Sequence, residues 1–365
     1  MSYIVIVIKM KKIIVDDEIF SVQDNYGGIS RLIVEYLKMF ENDEDIKFIV
    51  PFNFSNNKHL NSTNFKKKKF FPKFKFYKKN FILRFLNKFQ INKIIKEANY
   101  DILLMSYLDQ RLALKNKKKL ISIMHDTIHE DNSNYFKNIN YFKNLKKTVL
   151  EKSDAVISVS NETKKNIMRL YNINEKKIYV VHPHNKTNEN IEKFNLPENY
   201  ILYVGNRGEY KNFNFLINCI SINKLNIVCV GGQKFNKKEI SYFKEKGVFD
   251  YVYHFQLNDN QLNYAYQKAI CHIIVSEAEG FGVTVLEAQK NNCKVLCPKL
   301  PIFEEVGKDS IFYFKLNDIN DFNFQLLQII NKNYDKEIYQ KMKFNLKNFN
   351  LLEKKEELKK IFLTV

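Results

Sequence analysis

Residues 275–296 read VSEAEGFGVTVLEAQKNNCKVL, and this stretch decides the fold class. An apolar run, Ile270–Val275, leads into it and is typical of a buried strand. A glycine turn follows, then an amphipathic segment from Val283 to about Asn291, and then a second apolar run, Lys294–Cys297. Strand, glycine turn, helix and strand in this order are the repeating unit of a parallel α/β sheet.

The glycine turn is also a candidate ligand site. Gly280 and Gly282 let the backbone approach a ligand, and the free N–H groups at the start of the helix attract anions. Glu279 and Glu287 flank the turn, so one carboxylate lies in the loop and the other lies one to two turns inside the helix, at about 1.5 Å rise per residue. Together they could hold a polyhydroxylated ligand at two places. A surface helix with a salt-bridging glutamate after an ordinary turn explains the same pattern.

Length and composition indicate an α/β protein of two domains. The chain has 365 residues, 45% of them hydrophobic, which exceeds one typical core. No segment approaches the roughly 18 apolar residues of a membrane span, and the run Tyr3–Ile8 is too short for a signal peptide. The cysteines lie in apolar runs of the second half and are expected to be reduced core residues. Reduced cysteines indicate a cytoplasmic protein. Cys293 and Cys297 lack further close ligands, so we expect no metal site.

The formal net charge of +19 is concentrated in one segment. Residues 64–99 contain twelve Lys or Arg and a single acid, Glu97, interleaved with aromatic side chains. This clustering favours an anionic membrane surface as a partner, although nucleic acid also attracts such charge. No nucleic-acid module is recognisable and the charge lies away from the glycine turns, so we expect no nucleic-acid partner. A lysine-rich solvated surface in a chain of biased composition is the simpler alternative.

Strand patterns alternate with helical patterns along the chain and form two successive arrays. The segment His182–Pro197 is rich in Asn and Glu, has prolines near both ends, and is the convincing linker between the arrays. We therefore predict a first domain at 1–185, a second at 186–345, and a C-terminal helix at 346–365 that packs back on the first. Both domains are expected to be doubly wound, Rossmann-like α/β sheets that face each other across a cleft.

Two places in the first domain are candidates for ligand contact. Gly27 and Gly28 precede a helical pattern, where backbone can approach a ligand, although a simple tight turn explains them as well. His125 follows the apolar run Leu120–Met124, at the carboxyl end of a predicted strand, where open α/β sheets place functional side chains. His129 lies four residues further on, but no third ligand completes a metal site.

The first strand of the second domain runs into YVGNRGEYKN, residues 203–212. Gly205 and Gly208 allow the backbone to make a tight turn. Arg207 and Lys211 lie beyond the carboxyl end of the strand. A planar guanidinium and a compact ammonium at such an edge can grip the two phosphoryl groups of a diphosphate without a metal. Two exposed cations in a very basic protein are the alternative.

Taken together, these motifs resemble the family-4 glycosyltransferases, which carry the group 1 glycosyltransferase domain and have the GT-B fold. The resemblance rests on YVGNRGEYKN and, about seventy residues later, SEAEGFGVTVLEA. Further support comes from MHDTIHE, from SDAVISVSNETKKNIMRLY, and from DDEIFSVQDNYGGISRLIVEYL, which has the form seen among O-antigen and capsule transferases. The match covers residues 52–100 least. Asn292 and Lys294 stand where the family has Gly and Pro, and Asn tolerates the left-handed conformation that such a turn needs.

The resemblance implies a role for each candidate residue. Arg207 and Lys211 bind the diphosphate of a nucleotide-sugar and stabilise charge on the leaving group. Glu279 hydrogen-bonds the donor sugar, Glu287 holds the ribose, and His125 lies near the donor sugar. The implied catalytic residues are His125, Arg207, Lys211 and Glu279. The implied nucleotide-sugar-binding residues are Gly27, Gly28, Gly205, Arg207, Lys211, Glu279, Gly280, Phe281, Gly282, Val283 and Glu287.

The implied reaction is retaining transfer of a hexose, with mannose as a guess, from a GDP- or UDP-linked donor, without a cofactor or metal. The implied acceptor is a saccharide or lipid-linked saccharide at the inner face of a membrane, in surface polysaccharide synthesis. Two alternatives stay open. One is a basic nucleic-acid-binding protein, which predicts steeply salt-dependent binding. The other is a different GT-B enzyme, similar to a glycogen phosphorylase or a sugar-nucleotide epimerase.

Overall fold

The computed structural model describes residues 10–23, 27–52, 54–60, 63–65, 67, 79–136, 138–184, 190–331 and 335–365. The chain forms two compact units. The first unit comprises Met1–Thr127, Asn138–Pro183 and Leu352–Val365. The second unit comprises Ile128–Lys137 and His184–Leu351.

Strands and helices alternate through both units. The strands are β1 (Lys11–Val15), β2 (Ile46–Ile49), β3 (Ile102–Met105), β4 (Lys119–Met124), β5 (Ala155–Ser158), β6 (Ile178–Val180), β7 (Tyr200–Val204), β8 (Asn226–Val230), β9 (Val252–Phe255), β10 (His272–Ile273), β11 (Val295–Pro298) and β12 (Phe312–Phe314). The helices are α1 (Glu18–Val22), α2 (Gly28–Met39), α3 (Lys79–Glu97), α4 (Gln110–Lys115), α5 (Ile128–Asp131), α6 (Ile139–Lys152), α7 (Asn161–Tyr171), α8 (Phe213–Asn223), α9 (Lys237–Glu245), α10 (Asp259–Lys268), α11 (Val283–Lys290), α12 (Pro301–Gly307), α13 (Ile319–Asn331), α14 (Asp335–Lys347) and α15 (Leu351–Thr364).

Each unit is built on one parallel sheet. Over the described residues, the first sheet has the strand order β2-β1-β3-β4-β5-β6 and the second has the order β12-β11-β10-β7-β8-β9. The central strands are mostly apolar because helices cover both faces of a parallel sheet. All four residues of β3 and of β5 are buried, for example. The predicted fold class, two doubly wound α/β domains, is therefore confirmed.

Most predicted elements lie where the sequence patterns put them. Ser160 caps α7, because its side chain accepts a hydrogen bond from the backbone N–H of Thr163. The predicted strand Ile270–Val275 is shorter in the structure, where β10 covers only His272–Ile273. The strand is short because the chain leaves the sheet to enter the glycine turn. The run nevertheless stays buried from Cys271 to Val275. The short helices α4, α5 and α12 were not predicted.

The division between the units differs from the predicted domain ranges of 1–185, 186–345 and 346–365. The second unit begins at His184 and continues to Leu351, so only Leu352–Val365 of the predicted C-terminal helix belongs to the first unit. The segment Ile128–Lys137, predicted to belong to the first domain, clusters with the second unit. The physical reason is that Tyr135 Oη donates to a carboxylate oxygen of Glu277 at 2.7 Å and that the ring of Phe136 lies 5.7 Å from that of Tyr210.

Two composition-based expectations can be compared with the structure. All five cysteines are buried free thiols, which confirms the prediction that they are reduced core residues. Burial raises the pKa of the Cys271 thiol to about 12, so it is an inert apolar group at neutral pH. Within the described residues, no helix is both long enough and apolar enough to cross a membrane.

Candidate active site

The second unit brings three loops to the carboxyl edge of its sheet. They follow β7, β8 and β10, and these strands are neighbours because β7 pairs with both of the others. Since all strands run parallel, the loops leave the sheet on the same side, at the edge where open α/β sheets bind ligands. The candidate residues after β7 and after β10 therefore meet, although about seventy residues separate them.

Lys211 and Glu279 form an ion pair at this edge. Lys211 Nζ donates to Glu279 Oε1 at 2.5 Å, and the hydroxyl of Ser276 donates to the same oxygen at 2.8 Å. The two side chains are only 16% and 18% exposed. Backbone also ties the loops together, because the N–H of Glu277 donates to the carbonyl of Tyr210 at 2.9 Å. Lys211 and Glu279, which were predicted separately as candidate residues, therefore form one cluster at this edge.

Arg207 and Lys211 bind different carboxylates. Its Nε donates to Glu239 Oε1 at 2.7 Å and its Nη2 donates to the carbonyl of Gln233 at 2.6 Å. The guanidinium also stacks on the ring of Phe235, 4.7 Å from its centroid. The side chain is only 5% exposed, and its Nη1 is buried without a hydrogen-bond partner among the described residues. Arg207 therefore has one donor group left for an anion, and that group is covered in this conformation.

Sequence reasoning missed Glu239. The signal was present as Asn236-Lys-Lys-Glu239 ahead of an apolar pattern, which is the spacing of a capping box. The structure shows that box at the start of α9: the Asn236 side chain accepts from the N–H of Glu239 at 3.0 Å, and Glu239 Oε2 accepts from the N–H of Asn236 at 2.8 Å. The other carboxylate oxygen of Glu239 is the one that holds Arg207.

A glycine pair after β8, Gly231 and Gly232, was also missed. Both adopt positive φ, at 86° and 65°. A Cβ on Gly232 would lie 3.2 Å from Arg207 Nη1 and 3.3 Å from the carbonyl oxygen of Gly205, so the loop after β7 sits directly on bare backbone. The sequence signal is a double glycine at the end of the apolar run that forms β8.

The glycine turn and helix α11 take the predicted form. Gly282 is the residue before the helix and has a φ of 85°, and Val283 begins the helix. Phe281 is buried, with its ring 5.7 Å from that of Phe349, so its side chain belongs to the core and only its backbone can face a donor. Glu287 lies one turn inside the helix, where the hydroxyl of Tyr266 donates to its Oε2 at 3.2 Å.

The remaining candidates belong to the first unit. Gly28 begins α2, and a Cβ there would meet nothing within 4 Å. Gly27 precedes it in extended conformation, and a Cβ there would overlap the side chain of Gln23. His125 follows β4 as predicted, and its Nε2 lies 3.0 Å from the carbonyl oxygen of Ser106. Burial lowers the pKa of His125, which favours the neutral ring.

The described part of the chain contains no group of three or more His, Cys, Asp or Glu side chains arranged to hold a metal ion. Positive charge at the carboxyl edge of the second sheet comes instead from Arg207 and Lys211. The arrangement can hold an anion beside a carboxylate that accepts hydrogen bonds. A ligand in which a charged leaving group is bonded to a hydroxyl-rich group would use both features.

Comparison with known proteins identifies the family of both halves of the chain. Residues 26–184 match the model of Glycosyltransferase Family 4, and residues 184–349 match the model of Glycosyl transferases group 1. The O-antigen chain mannosyltransferase RfbU of Salmonella typhimurium (strain LT2) is 27% identical over 236 residues, which is 58% of this chain. The match spans 65% of that relative's length.

Solved structures share the fold. HepE of Anabaena in complex with UDP-glucose has a TM-score of 0.74 at 11% identity, covering 98% of this chain and 100% of that one. The lipopolysaccharide outer core galactosyltransferase WaaB has a TM-score of 0.64 at 17% identity, with the same coverage of both chains. Sucrose-phosphate synthase of Thermosynechococcus elongatus has a TM-score of 0.75 at 12% identity, covering 97% and 98%. With the two family models spanning residues 26–349, the chain belongs to the group 1 glycosyltransferases and has their GT-B fold.

Proposed function

We propose that this chain is a retaining glycosyltransferase that transfers a hexose, with mannose as the first candidate, from a nucleotide-diphospho-sugar to a saccharide or lipid-linked saccharide. The observation that carries the proposal is the ion pair between Lys211 and Glu279, formed across two loops at the carboxyl edge of a parallel sheet. The O-antigen mannosyltransferase among its relatives supports mannose and a role in surface polysaccharide synthesis.

Lys211 and Glu279 have different roles in this proposal: Lys211 stabilises negative charge and Glu279 recognises the sugar. Lys211 places a cation where the diphosphate leaving group gains negative charge, and a preorganised charge of this kind needs no rearrangement during the reaction. Glu279 receives the hydrogen bonds from Lys211 and Ser276 on Oε1, which leaves Oε2 to accept hydrogen bonds from the hydroxyl groups of the donor sugar. The proposal needs no cofactor or metal, because the two cations after β7 supply the positive charge.

The donor is tested by screening the purified chain against UDP-, GDP-, ADP- and dTDP-linked sugars for thermal stabilisation and for donor hydrolysis. At a ligand concentration of 100 times Kd, specific binding stabilises the folded state by about 2.7 kcal/mol. We expect one nucleotide to stand out, with hydrolysis unaffected by a chelator. Equal, weak shifts for all four donors would contradict a nucleotide-sugar site.

The roles of the pair are tested by Lys211→Ala and Glu279→Ala. Each should lower the rate of transfer by on the order of 10²–10³, because each removes one preorganised contact to the reacting group. Stability should fall by about 1–3 kcal/mol, because each variant leaves a largely buried partner unpaired, so the rate is measured where the variant is still folded. Lys237→Ala, which removes an exposed lysine at the start of α9, is the control and should leave the rate unchanged. Near-normal turnover in either pair variant would refute the assignment.

The proposal includes an anionic membrane surface as a partner, through residues 64–99. Residues 66 and 68–78 lie outside the described residues, and α3 is the helix that the structure describes in this segment. The buried side of α3 carries Leu83, Asn87 and Ile91 at helical spacing. Asn87 donates to and accepts from the backbone of Phe54, which fixes this side against the first unit.

The opposite side of α3 is apolar as well. It carries four exposed side chains at i, i+3, i+4 and i+7: Ile82, Phe85, Leu86 and Phe89. Phe85 is 53% exposed and Phe89 is 64% exposed, with their rings 5.1 Å apart. A helix that is apolar on both sides is expected only where a second apolar phase covers the outer one. The cations of residues 64–99 favour the surface of an anionic bilayer as that phase.

The membrane part is tested by co-sedimentation with vesicles of phosphatidylcholine alone or mixed with phosphatidylglycerol. Binding should require the anionic lipid, weaken with salt, and be lost in Phe85→Ser/Phe89→Ser and when the lysines from Lys66 to Lys79 become glutamine. Phe324→Ser/Leu327→Ser removes a comparable exposed pair from α13 in the second unit and should not affect binding. Unchanged binding in the charge variant would exclude this partner, and transfer to a soluble acceptor is a separate readout of the enzyme.

A further inference from the structure

Three adjacent strands of the first sheet are each followed by a polar residue, and hydrogen bonds link these three residues in a chain. Asp16 follows β1, Ser106 follows β3 and His125 follows β4, and β3 pairs with both β1 and β4. Asp16 is 1% exposed, Ser106 is fully buried and His125 is 9% exposed. Polar groups buried to this degree are costly unless their partners are fixed, so this chain of contacts holds a defined geometry.

The first link joins Asp16 to Ser106. Asp16 Oδ1 accepts the backbone N–H of Ser106 at 2.8 Å and also accepts the hydroxyl of Ser106. The backbone N–H of Asp16 in turn donates to the carbonyl of Leu104 at 3.3 Å. Both donors of Ser106 therefore end on one oxygen, which fixes Ser106 through its backbone N–H and its side chain, and the carbonyl group projects from this fixed residue.

The second link joins that carbonyl to His125. A carbonyl oxygen can only accept, so the contact of 3.0 Å requires the proton of the ring to reside on Nε2. In the neutral ring Nδ1 is then a hydrogen-bond acceptor, and it has no hydrogen-bond partner among the described residues. The charges of Asp126 and Lys146 act on the ring in opposite directions, because Asp126 raises and Lys146 lowers the pKa of His125. Lys146 also donates to the carbonyl of Asp126 at 3.0 Å.

We propose that Asp16 is a positioning residue that fixes, through Ser106, the orientation and tautomer of His125, so that Nδ1 is presented as the acceptor for a substrate hydroxyl. The substrate part of this inference rests on the proposed function, because it assigns the hydroxyl to a sugar. The positioning part does not, because it concerns atoms of the first unit alone. Asp16 touches no reacting group, and its effect on transfer passes entirely through the ring.

Asp16→Asn and Asp16→Ala separate geometry from charge. The asparagine side chain keeps an Oδ1 that can accept both hydrogen bonds from Ser106, whereas alanine removes the acceptor. Burial raises the pKa of Asp16 well above its ordinary value, so the native side chain carries less charge than an exposed aspartate, which also makes asparagine a close substitute. Ser106→Ala is a milder variant that keeps the backbone link and removes only the hydroxyl.

The tautomer is read directly by ¹H–¹⁵N long-range correlation spectra of the ¹⁵N-histidine-labelled full-length chain. The chain has seven histidines, and His125→Gln identifies the signal of interest. We expect the native chain and Asp16→Asn to show the Nε2–H form, and Asp16→Ala to show a mixture with the Nδ1–H form. With the donor found in the screen above, Asp16→Ala should lower kcat about tenfold or more, since loss of alignment by an ångström can cost about 100-fold.

Each outcome bears on the proposal. Unchanged histidine signals in Asp16→Ala would overturn it, and so would a change of equal size in Asp16→Asn, since that would make charge and not geometry the cause. If Asp16→Ala does not fold, Ser106→Ala replaces it, and a shift of the His125 signal toward the mixture is then expected. Nucleotide binding should stay native in every variant. If no donor is found at all, the proposed function fails while the spectra still decide the positioning role.

Discussion

Gly282 shows how one residue can be required twice. Its φ of 85° lies in the region that side chains other than glycine disfavour, and a Cβ would lie 3.1 Å from the ring of Phe303. The turn therefore depends on the missing side chain both for its conformation and for its packing. Its place immediately before α11 also makes it part of the candidate donor site.

We predict that Gly282→Ala lowers the free energy of unfolding by about 2 kcal/mol, because a left-handed conformation costs an L-residue about 1–2 kcal/mol before crowding is counted. Gly28→Ala is the matched control at the start of α2, where a Cβ meets nothing. It should be neutral or stabilise by up to about 1 kcal/mol, from higher helix propensity. Denaturant unfolding measures both. Equal losses would show that the φ of Gly282 is not the cause.

The two cations after β7 illustrate what a residue pattern leaves open. Arg207 and Lys211 were predicted to act alike, and the structure gives them different partners, Glu239 and Glu279. The difference follows from position along the loop. Arg207 lies over the glycine pair after β8, whereas Lys211 lies in a short 3-10 turn that faces the loop after β10.

At the scale of the element, α9 connects a helix cap to a binding residue. The capping box of Asn236 and Glu239 satisfies backbone donors at the start of the helix, and the same glutamate fixes the guanidinium of Arg207. A cap is ordinarily a local stabilising device. Here it also determines where a cation of the candidate site lies.

We predict that Asn236→Ala lowers the free energy of unfolding by about 1 kcal/mol, the ordinary cost of a lost cap. It should also weaken nucleotide binding several-fold, because Glu239 loses the contact that orients it. Ser160→Ala removes the cap of α7 in the first unit and provides a matched loss of stability. Calorimetric titration with the nucleotide diphosphate should show weaker binding only in Asn236→Ala. Equal affinity in both variants would uncouple the cap from Arg207.

At the scale of the whole molecule, the last helix belongs to the first unit. Phe362 of α15 packs edge-on against Phe40 and Phe48, with ring centroids 5.8 and 5.9 Å apart. Lys355 and Lys359 both reach Asp43, at 3.0 and 3.1 Å. Residues more than 300 positions apart thus share one core, and the first unit is completed only when the end of the chain is in place.

We predict that the Asp43 contacts make stability depend on pH. Burial alone would raise the pKa of Asp43, but hydrogen bonds from Lys355 and Lys359 outweigh it and lower the pKa. A lowered folded pKa contributes stability that is present above the unfolded value of about 3.9 and is lost as pH falls through the folded value. Asp43→Asn should therefore be less stable by about 1 kcal/mol at pH 7. The difference should shrink as pH falls below the unfolded value and through the lowered folded pKa of Asp43. A constant difference across this range, measured by denaturant unfolding, would assign the loss to packing.

The sequence by itself determined the elements, their order and the fold class. Alternating apolar and helical patterns, glycines at strand ends and the cap at Ser160 are local signals that depend on a few neighbouring residues, and the structure follows them. Asn292 adopts a φ of 54°, as expected of a residue that replaces a turn glycine. The same patterns identified Lys211 and Glu279 as candidate residues, although they do not show that the two side chains are in contact.

Only the tertiary structure decided which side chains meet. The pairing of Lys211 with Glu279 depends on β7 and β10 being neighbours in the sheet, and strand order is set by packing over the whole unit. The capture of Arg207 by Glu239, the hydrogen bonds from Asp16 through Ser106 to His125, and the outward apolar side of α3 have the same origin. Each depends on which surfaces a distant element buries, and that is a property of the assembled core that no local pattern encodes.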